Sequence, residues 1–209
     1  TTTYTYSDNG NLLTIAEPLG KITTFAYDSA ERLASATDSE GYTVTANYDS
    51  ADRPVSVTYP DGTTDTIAYD RLDTASTTDR LGRKTSMAYD ALQRLTQVTD
   101  PNSGTVGLSY GIEDSPTTLT DQGGRQTQFA YDLQQRLTSK QYAGGATQSI
   151  TYQNCCGRLR TVTDALGHTK TFDYFLDNTL KSITYSGTTP AVNFTTDPFL
   201  PRPLTMTDG

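Results

Sequence analysis

The sequence predicts an all-β fold: a long, twisted antiparallel sheet built from tandem hairpins. Three observations predict it. A tyrosine, usually followed by aspartate, returns at Tyr6, Tyr27, Tyr48, Tyr69, Tyr89, Tyr110, Tyr131, Tyr152 and Tyr174 in steps of 20 to 22 residues, and Phe194 takes the same place 20 further on. The residues between them form short Thr-rich, β-branched runs, the composition of half-exposed strands. With 34% hydrophobic residues, no Trp and 14 Tyr, the chain lacks the apolar mass for helices around a thick core. A period this regular sets the architecture before any single residue is interpreted. Residues 1–209 therefore read as one array of about ten repeats, a segment of a longer array or fibre.

The second unit is representative. Leu33 to Thr37 and Thr43 to Tyr48 read as strands, and Asp38-Ser39-Glu40-Gly41 between them supplies turn residues and a glycine able to take positive φ. Tyr-Asp-x-x-x-Arg-Leu then joins one hairpin to the next, so about ten units of two strands imply about twenty strands. At roughly 4.8 Å per strand such a sheet is on the order of 95 Å long, and a twisted sheet of that length curls into a spiral, shell or fibre. The first unit replaces the link with Tyr6 to Leu12 and marks its turn with Pro18 and Gly20, and the third opens a strand at Pro54, tolerable where the ladder ends. The fourth unit is one residue short, and the sixth loses its aspartate at Tyr110-Gly111 and brings Pro116 to a strand start. These departures are expected to be local bulges or bends. Phe129 to Leu137 returns to type.

Tyr-Asp-x-x-x-Arg-Leu followed by Thr-Asp-x-x-Gly, as in Tyr27 to Gly41 and again from Tyr131, resembles the YD repeat of the RHS family. That family includes bacterial Rhs polymorphic toxins, the C components of insecticidal toxin complexes, wall-associated proteins and teneurins. The resemblance covers essentially the whole chain. It implies a β-sheet that spirals into a hollow shell, which in longer members encloses a toxic C-terminal domain.

The recurring residues read as structural. The tyrosines sit at equivalent places on every second strand and can form a ladder about 9.6 Å apart with hydroxyls on polar partners. Asp28, Asp49, Asp70, Asp90 and Asp132 can bond nearby amides and close the link, and Arg32, Arg53, Arg94, Arg136 and Arg158 can pair with them. No catalytic residue is assigned. The one histidine, His168, lies in a turn, and the carboxylates recur in repeat phase where a hydrolase needs one distinct pair. No metal or cofactor is expected, since turns such as Asp61-Gly62 and Asp8-Asn9-Gly10 match no calcium loop. Cys155 and Cys156, the two cysteines, are adjacent in a variant link; turn thiols are one reading and a redox or metal role the other, because a bridge between neighbours is strained. Asn193-Phe194-Thr195 is a formal glycosylation acceptor.

A formal net charge of -8 disfavours nucleic acid and anionic lipid, and no apolar run is long enough to insert in a membrane. The expected role is a non-enzymatic structural module of an extracellular or cell-surface protein, building a shell, stalk or fibre. Its partners are flanking repeats or itself end to end, because Leu204 to Gly209 reads as a strand and turn opening and Thr1 to Tyr6 as the strand that follows one. Proline at Thr3 and Thr205 should suppress such joining. The alternatives are part of a toxin-enclosing shell, or a module binding glycans or a cell-surface receptor through Tyr59, Tyr142 and Tyr185, which replace the turn aspartate and are expected to be exposed.

Overall fold

The computed structural model describes residues 1–197, 199, 200 and 202–208. Gly209, part of the terminal turn expected above, lies outside the described residues. The chain divides into two compact units, Thr1–Thr105 and Val106–Gly209.

Twenty strands account for the regular structure among the described residues, as the repeat count implies. The first unit holds β1 (Thr3–Tyr6), β2 (Leu12–Ala16), β3 (Ile22–Tyr27), β4 (Leu33–Thr37), β5 (Thr43–Tyr48), β6 (Pro54–Thr58), β7 (Thr64–Asp70), β8 (Asp73–Thr78), β9 (Lys84–Tyr89) and β10 (Leu95–Thr99). The second holds β11 (Thr105–Tyr110), which starts at the boundary, β12 (Pro116–Thr120), β13 (Gln126–Tyr131), β14 (Leu137–Gln141), β15 (Thr147–Tyr152), β16 (Leu159–Thr163), β17 (Thr169–Tyr174), β18 (Leu180–Tyr185), β19 (Val192–Thr196) and β20 (Pro203–Asp208). Within each unit every strand pairs antiparallel with the next in sequence. Among the described residues the one helical element is a short 3-10 turn at Pro18–Gly20, where Leu19 has a φ of 78°.

Link and turn are the same loop. In the turn, the Asp38 amide donates to Tyr42 O (3.0 Å), Gly41 N to Asp38 O (3.1 Å), and Asp38 Oδ1 accepts from the amides of Glu40 and Tyr42 (both 2.9 Å). In the link, the Asp28 amide donates to Arg32 O (2.9 Å), Glu31 N to Asp28 O (3.0 Å), and Asp28 Oδ1 accepts from Ala30 and Arg32 (2.9 and 3.0 Å). The aspartate thus caps its own loop on either edge of the sheet. Both loops need a left-handed fourth residue. Most turns use glycine, as at Gly41 and Gly82 (φ 83° and 76°), though the Asp100 turn uses Ser103 (φ 68°), whereas most links use a polar residue, as at Glu31, Asp52, Gln93 and Gln135 (φ 60° to 62°). The link expected to join two hairpins is therefore a hairpin loop itself.

What distinguishes the edges is register. Thr24, Phe25 and Ala26 pair with Thr37, Ala36 and Ser35, but Tyr27 pairs with Leu33, so Ala34 is extra. The same slip occurs beside Tyr6, Tyr48, Tyr69, Tyr110, Tyr131, Tyr152 and Tyr174. Pairings across the turns, such as Ser35, Ala36 and Thr37 with Thr45, Val44 and Thr43, show none. Bulges are thus a constant of the repeat, where the sequence suggested them only at its irregular units. A bulge raises the local right-handed twist.

The faces differ in chemistry. One carries cross-strand rows such as Thr5-Thr14-Thr24-Thr37-Thr43 and Ala26-Ser35-Thr45-Thr58-Thr64 in the first unit, and Ala130-Ser139-Ser149-Thr163-Thr169 in the second. Alternation puts Phe25, Val44, Val57, Phe129, Ile150, Phe172 and the period-marking tyrosines on the other. No hydrophobic side chain among the described residues is buried; the two buried residues there are Ser76 and Ser182. Backbone ladders and polar contacts between repeats therefore carry much of the stability a core would otherwise supply.

Ala at Gly82 would meet no neighbouring atom, so Gly82→Ala isolates backbone strain and should cost about 1–2 kcal/mol. Gln93→Gly, at a left-handed residue, should be neutral or stabilise by up to about 1 kcal/mol. Native-state hydrogen exchange in the flanking strands measures both, and a loss at Gln93→Gly equal to that at Gly82→Ala contradicts the loop assignment.

Candidate functional site

The sheet's link edge carries a repeated three-part contact. Arg32 Nε donates to Asp28 Oδ2 (2.8 Å) and Nη2 lies 2.7 Å from the same oxygen, a two-pronged pair within one link. The guanidinium lies 4.7 Å from the Tyr48 ring centre in the next repeat, and Nη1 reaches Asp49 O (3.2 Å) and Asp52 Oδ1 (2.6 Å). Tyr48 completes the circuit, its hydroxyl donating to Leu33 O (2.9 Å), the carbonyl beside the bulge.

This contact repeats. Tyr27, Tyr69, Tyr89, Tyr131 and Tyr152 donate to the carbonyls of Leu12, Pro54, Thr74, Pro116 and Leu137, each fifteen residues earlier, at 2.9 to 3.1 Å. Arg53 and Arg136 pair with Asp49 and Asp132 (2.7 and 2.6 Å) and lie 4.1 and 4.4 Å from the rings of Tyr69 and Tyr152. Arg94 pairs with Asp90 at 2.7 Å. These tyrosines and Tyr110 and Tyr174 are half-buried, while Tyr6 is exposed.

Two expected pairs differ. Asp70 belongs to β7 and faces Asp73 across a two-residue turn, Arg71-Leu72, because the short fourth unit leaves no room for the capped loop; Arg53 Nη1 donates to Arg71 O (2.5 Å) instead. Arg158 has Gln153 where Arg32, Arg53, Arg94 and Arg136 have aspartate, and its Nε donates to Gln153 Oε1 (2.8 Å).

The left-handed link residues escaped the sequence reading. Asp52 accepts from Arg32, Asn178 Oδ1 from Arg158 (2.9 Å), Gln135 Oε1 from Ser115 (3.1 Å), and Glu31 from Asn9. Each bridges to the preceding link, which gives a side chain a use at positions whose backbone favours glycine. Their signal was a polar residue one before the arginine or its equivalent, in place of the glycine found at Gly10 and Gly157.

The turn edge has one dense cluster. Tyr59 donates to Asp65 Oδ2 (2.7 Å), which pushes the phenol up from its ordinary pKa, and the Arg80 guanidinium sits 4.1 Å from its ring. Arg80 also pairs with Asp61 Oδ2 (2.6 Å), whose Oδ1 accepts from the Thr63 hydroxyl and amide (2.6 and 3.0 Å). The Thr63 hydroxyl and amide and the Arg80 guanidinium hold Asp61 down at about 2. A shallow cavity of about 500 Å³ opens here among Asp61, Asp65, Asp79, Arg80 and Arg83.

The three candidate ligand tyrosines are not the most open aromatics. Tyr59 and Tyr185 are half-buried and Tyr142 is 38% exposed, against 54%, 59% and 44% for Tyr4, Tyr6 and Tyr42. Tyr142 has Lys140 Nζ at 4.8 Å and Tyr185 has Lys170 Nζ at 5.7 Å, so each of the three rings already meets a cation. His168 occupies the link arginine's place in a turn, with Nδ1 3.1 Å from Asp164 Oδ2. Among the described residues no three His, Cys, Asp or Glu side chains converge on a metal-sized point, and no helix is long and apolar enough to cross a membrane.

The RHS Repeat family matches residues 6–43, 32–64, 69–105 and 116–147, more than half of the chain. The chain belongs to the RHS repeat family. No curated protein matches it. Among solved structures it is similar to the TcdB2-TccC3 complex without its hypervariable C-terminal region, with a TM-score of 0.71 and 16% identity over 99% of this chain and 12% of that one. It is also similar to the Tc holotoxin pore of Photorhabdus luminescens, with a TM-score of 0.63 and 14% identity over 92% of this chain and 12% of that one. The likeness is one of fold, and this RHS repeat chain spans 12% of the length of those matched chains.

The loop carboxylates make the repeat sensitive to acid. Asp28, Asp90 and Asp132 are held below the usual carboxylate value first by hydrogen bonds from Arg32, Arg94 and Arg136, and Asp49, Asp79 and Asp121 first by the backbone amide of the paired arginine. A depressed folded value gives stability that is present above the unfolded pKa and lost as pH falls through the folded one. The melting temperature should be flat from about pH 8 to 5 and drop below about pH 4. An unchanged melting temperature at about pH 2 would count against these pairs as stabilising.

Proposed function

We propose that this RHS repeat chain is a structural module of a secreted or surface protein, where its sheet forms part of a β-shell wall. The observation that carries this reading is the chain of contacts from Asp28 through Arg32 to Tyr48 and Leu33 and its recurrence link after link. Such contacts fasten each repeat to its neighbours and leave neither face committed to a core, the property a wall one sheet thick requires. The fold likeness over 99% of the chain to part of the TcdB2-TccC3 assembly supports a wall over a fibre. Enclosure of a toxic domain is the corresponding role of a longer protein. The glycan reading has weaker support, because Tyr59, Tyr142 and Tyr185 each have a cation against the ring.

The partners of the wall are further strands. β1 and β20 are exposed at every described residue, and an exposed strand edge accepts another strand through its ladder groups. Sedimentation over a wide concentration range should show association of the isolated chain, suppressed in the double variant Thr3→Pro, Thr205→Pro. A monomer at all concentrations, unchanged by the prolines, would remove self-association and leave flanking repeats as the partner. For the wall itself, Arg136→Ala, which removes a link contact, should lower the melting temperature more than Glu40→Ala in a turn; equal losses would overturn the reading.

A further inference from the structure

The link from Gln153 to Arg158 departs from the Asp28 link in three ways at once. It is longer than the Asp28 link: Gln153 N donates to Arg158 O (2.7 Å) and Gly157 N to Gln153 O (3.0 Å), five and four residues apart against four and three, a length shared with Asp197–Arg202, which keeps its aspartate. The inserted length is occupied by Cys155 and Cys156, both exposed and unbridged. Its capping aspartate is Gln153, so among the described residues Arg158 has no carboxylate within ion-pair distance. The guanidinium is held by neutral oxygens instead, on Gln153 (2.8 Å), Phe175 (3.2 Å) and Asn178 (2.9 Å).

Both thiols converge on that same Gln153 Oε1, Cys156 at 3.4 Å and Cys155 at 3.9 Å. A second guanidinium borders the loop, since a Cβ at Gly157 would lie 2.8 Å from Arg136 Nη1. Elsewhere in the array the link arginine's charge is met by aspartate. Here an uncompensated cation stands beside two accessible thiols, the setting that favours a thiolate. The Cys155 hydrogen bond, then the Arg158 amide and charge, draw Cys156 below the ordinary thiol value.

We propose that Cys155 and Cys156 form a thiol–disulfide exchange site for low-molecular-weight disulfides of the glutathione type, with Cys156 attacking and Cys155 resolving. The Cys156 thiolate displaces one thiolate from the disulfide and keeps the other half as a mixed disulfide. Cys155, losing its proton to solvent, then attacks Cys156 Sγ and expels the second thiolate, leaving a bond between the two residues. Two protein thiols are oxidised and one disulfide is reduced to two thiols. The strain of a bridge between neighbours makes that bond readily reducible.

The test is reaction of the 209-residue chain with oxidised glutathione at pH 7, followed by intact-mass spectrometry after acid quench. The expected result is fast loss of two hydrogens through a transient glutathione adduct. Cys155→Ser should accumulate that adduct, Cys156→Ser should react at least about tenfold more slowly, and Arg158→Gln should slow attack about threefold and move its pH profile upward. Circular dichroism of each variant establishes that the sheet is retained. Equal rates for the two serine variants, or rates no faster than a short cysteine peptide, overturn the proposal.

Discussion

The link arginine is the contact on which the rest of this sheet depends. With no hydrophobic side chain buried among the described residues, stacking of one repeat on the next cannot rest on a close-packed interior. Arg32 serves four partners: the Asp28 carboxylate in its own loop, the Tyr48 ring, the Asp49 carbonyl and the Asp52 carboxylate in the next. A planar guanidinium with five donors and an aromatic-compatible face can do this, and a lysine cannot. Each such pair is half-exposed and individually modest. Repetition makes the sum large, and coupling between neighbours makes it cooperative.

Bulge and tyrosine belong together. The extra residue after each link offsets the strand, and the next repeat's tyrosine hydroxyl satisfies the carbonyl at that point, as Tyr48 does for Leu33. A bulge with an unmet carbonyl would be costly in a partly buried position. Because the bulges fall on the link edge and the turn edge stays in register, extra twist enters the sheet from one side in every repeat. That asymmetry is a physical route to curvature. Strand alternation independently separates a Ser/Thr face from an aromatic one.

The departures follow the same rules. The short fourth unit drops its capped loop for a tight turn, and its neighbour's arginine reaches a backbone carbonyl where the aspartate's side of the contact is missing. The eighth link replaces aspartate with glutamine, keeps the arginine's hydrogen bonds and leaves its charge open. A repeat tolerates such changes because each alters one junction only.

Most of the fold was legible in the chain itself. The 20- to 22-residue return of tyrosine, the turn glycines and the Thr-rich alternation placed twenty strands, with β4 and β5 at the residues expected, because local periodicity and turn chemistry act over a few residues and leave their mark in composition. The pairing of Asp28 with Arg32 was legible for the same reason, the two lying in one loop. Which residue bulges, which carbonyl Tyr48 reaches, and why Asp52 or Gln93 tolerates a left-handed backbone were decided by tertiary structure. So was the half-burial of Tyr59 under Arg80, two residues 21 apart that meet only when neighbouring turns stack. Those contacts join consecutive repeats, and their geometry depends on strand register and twist, which are properties of the assembled sheet and have no local signature in the sequence.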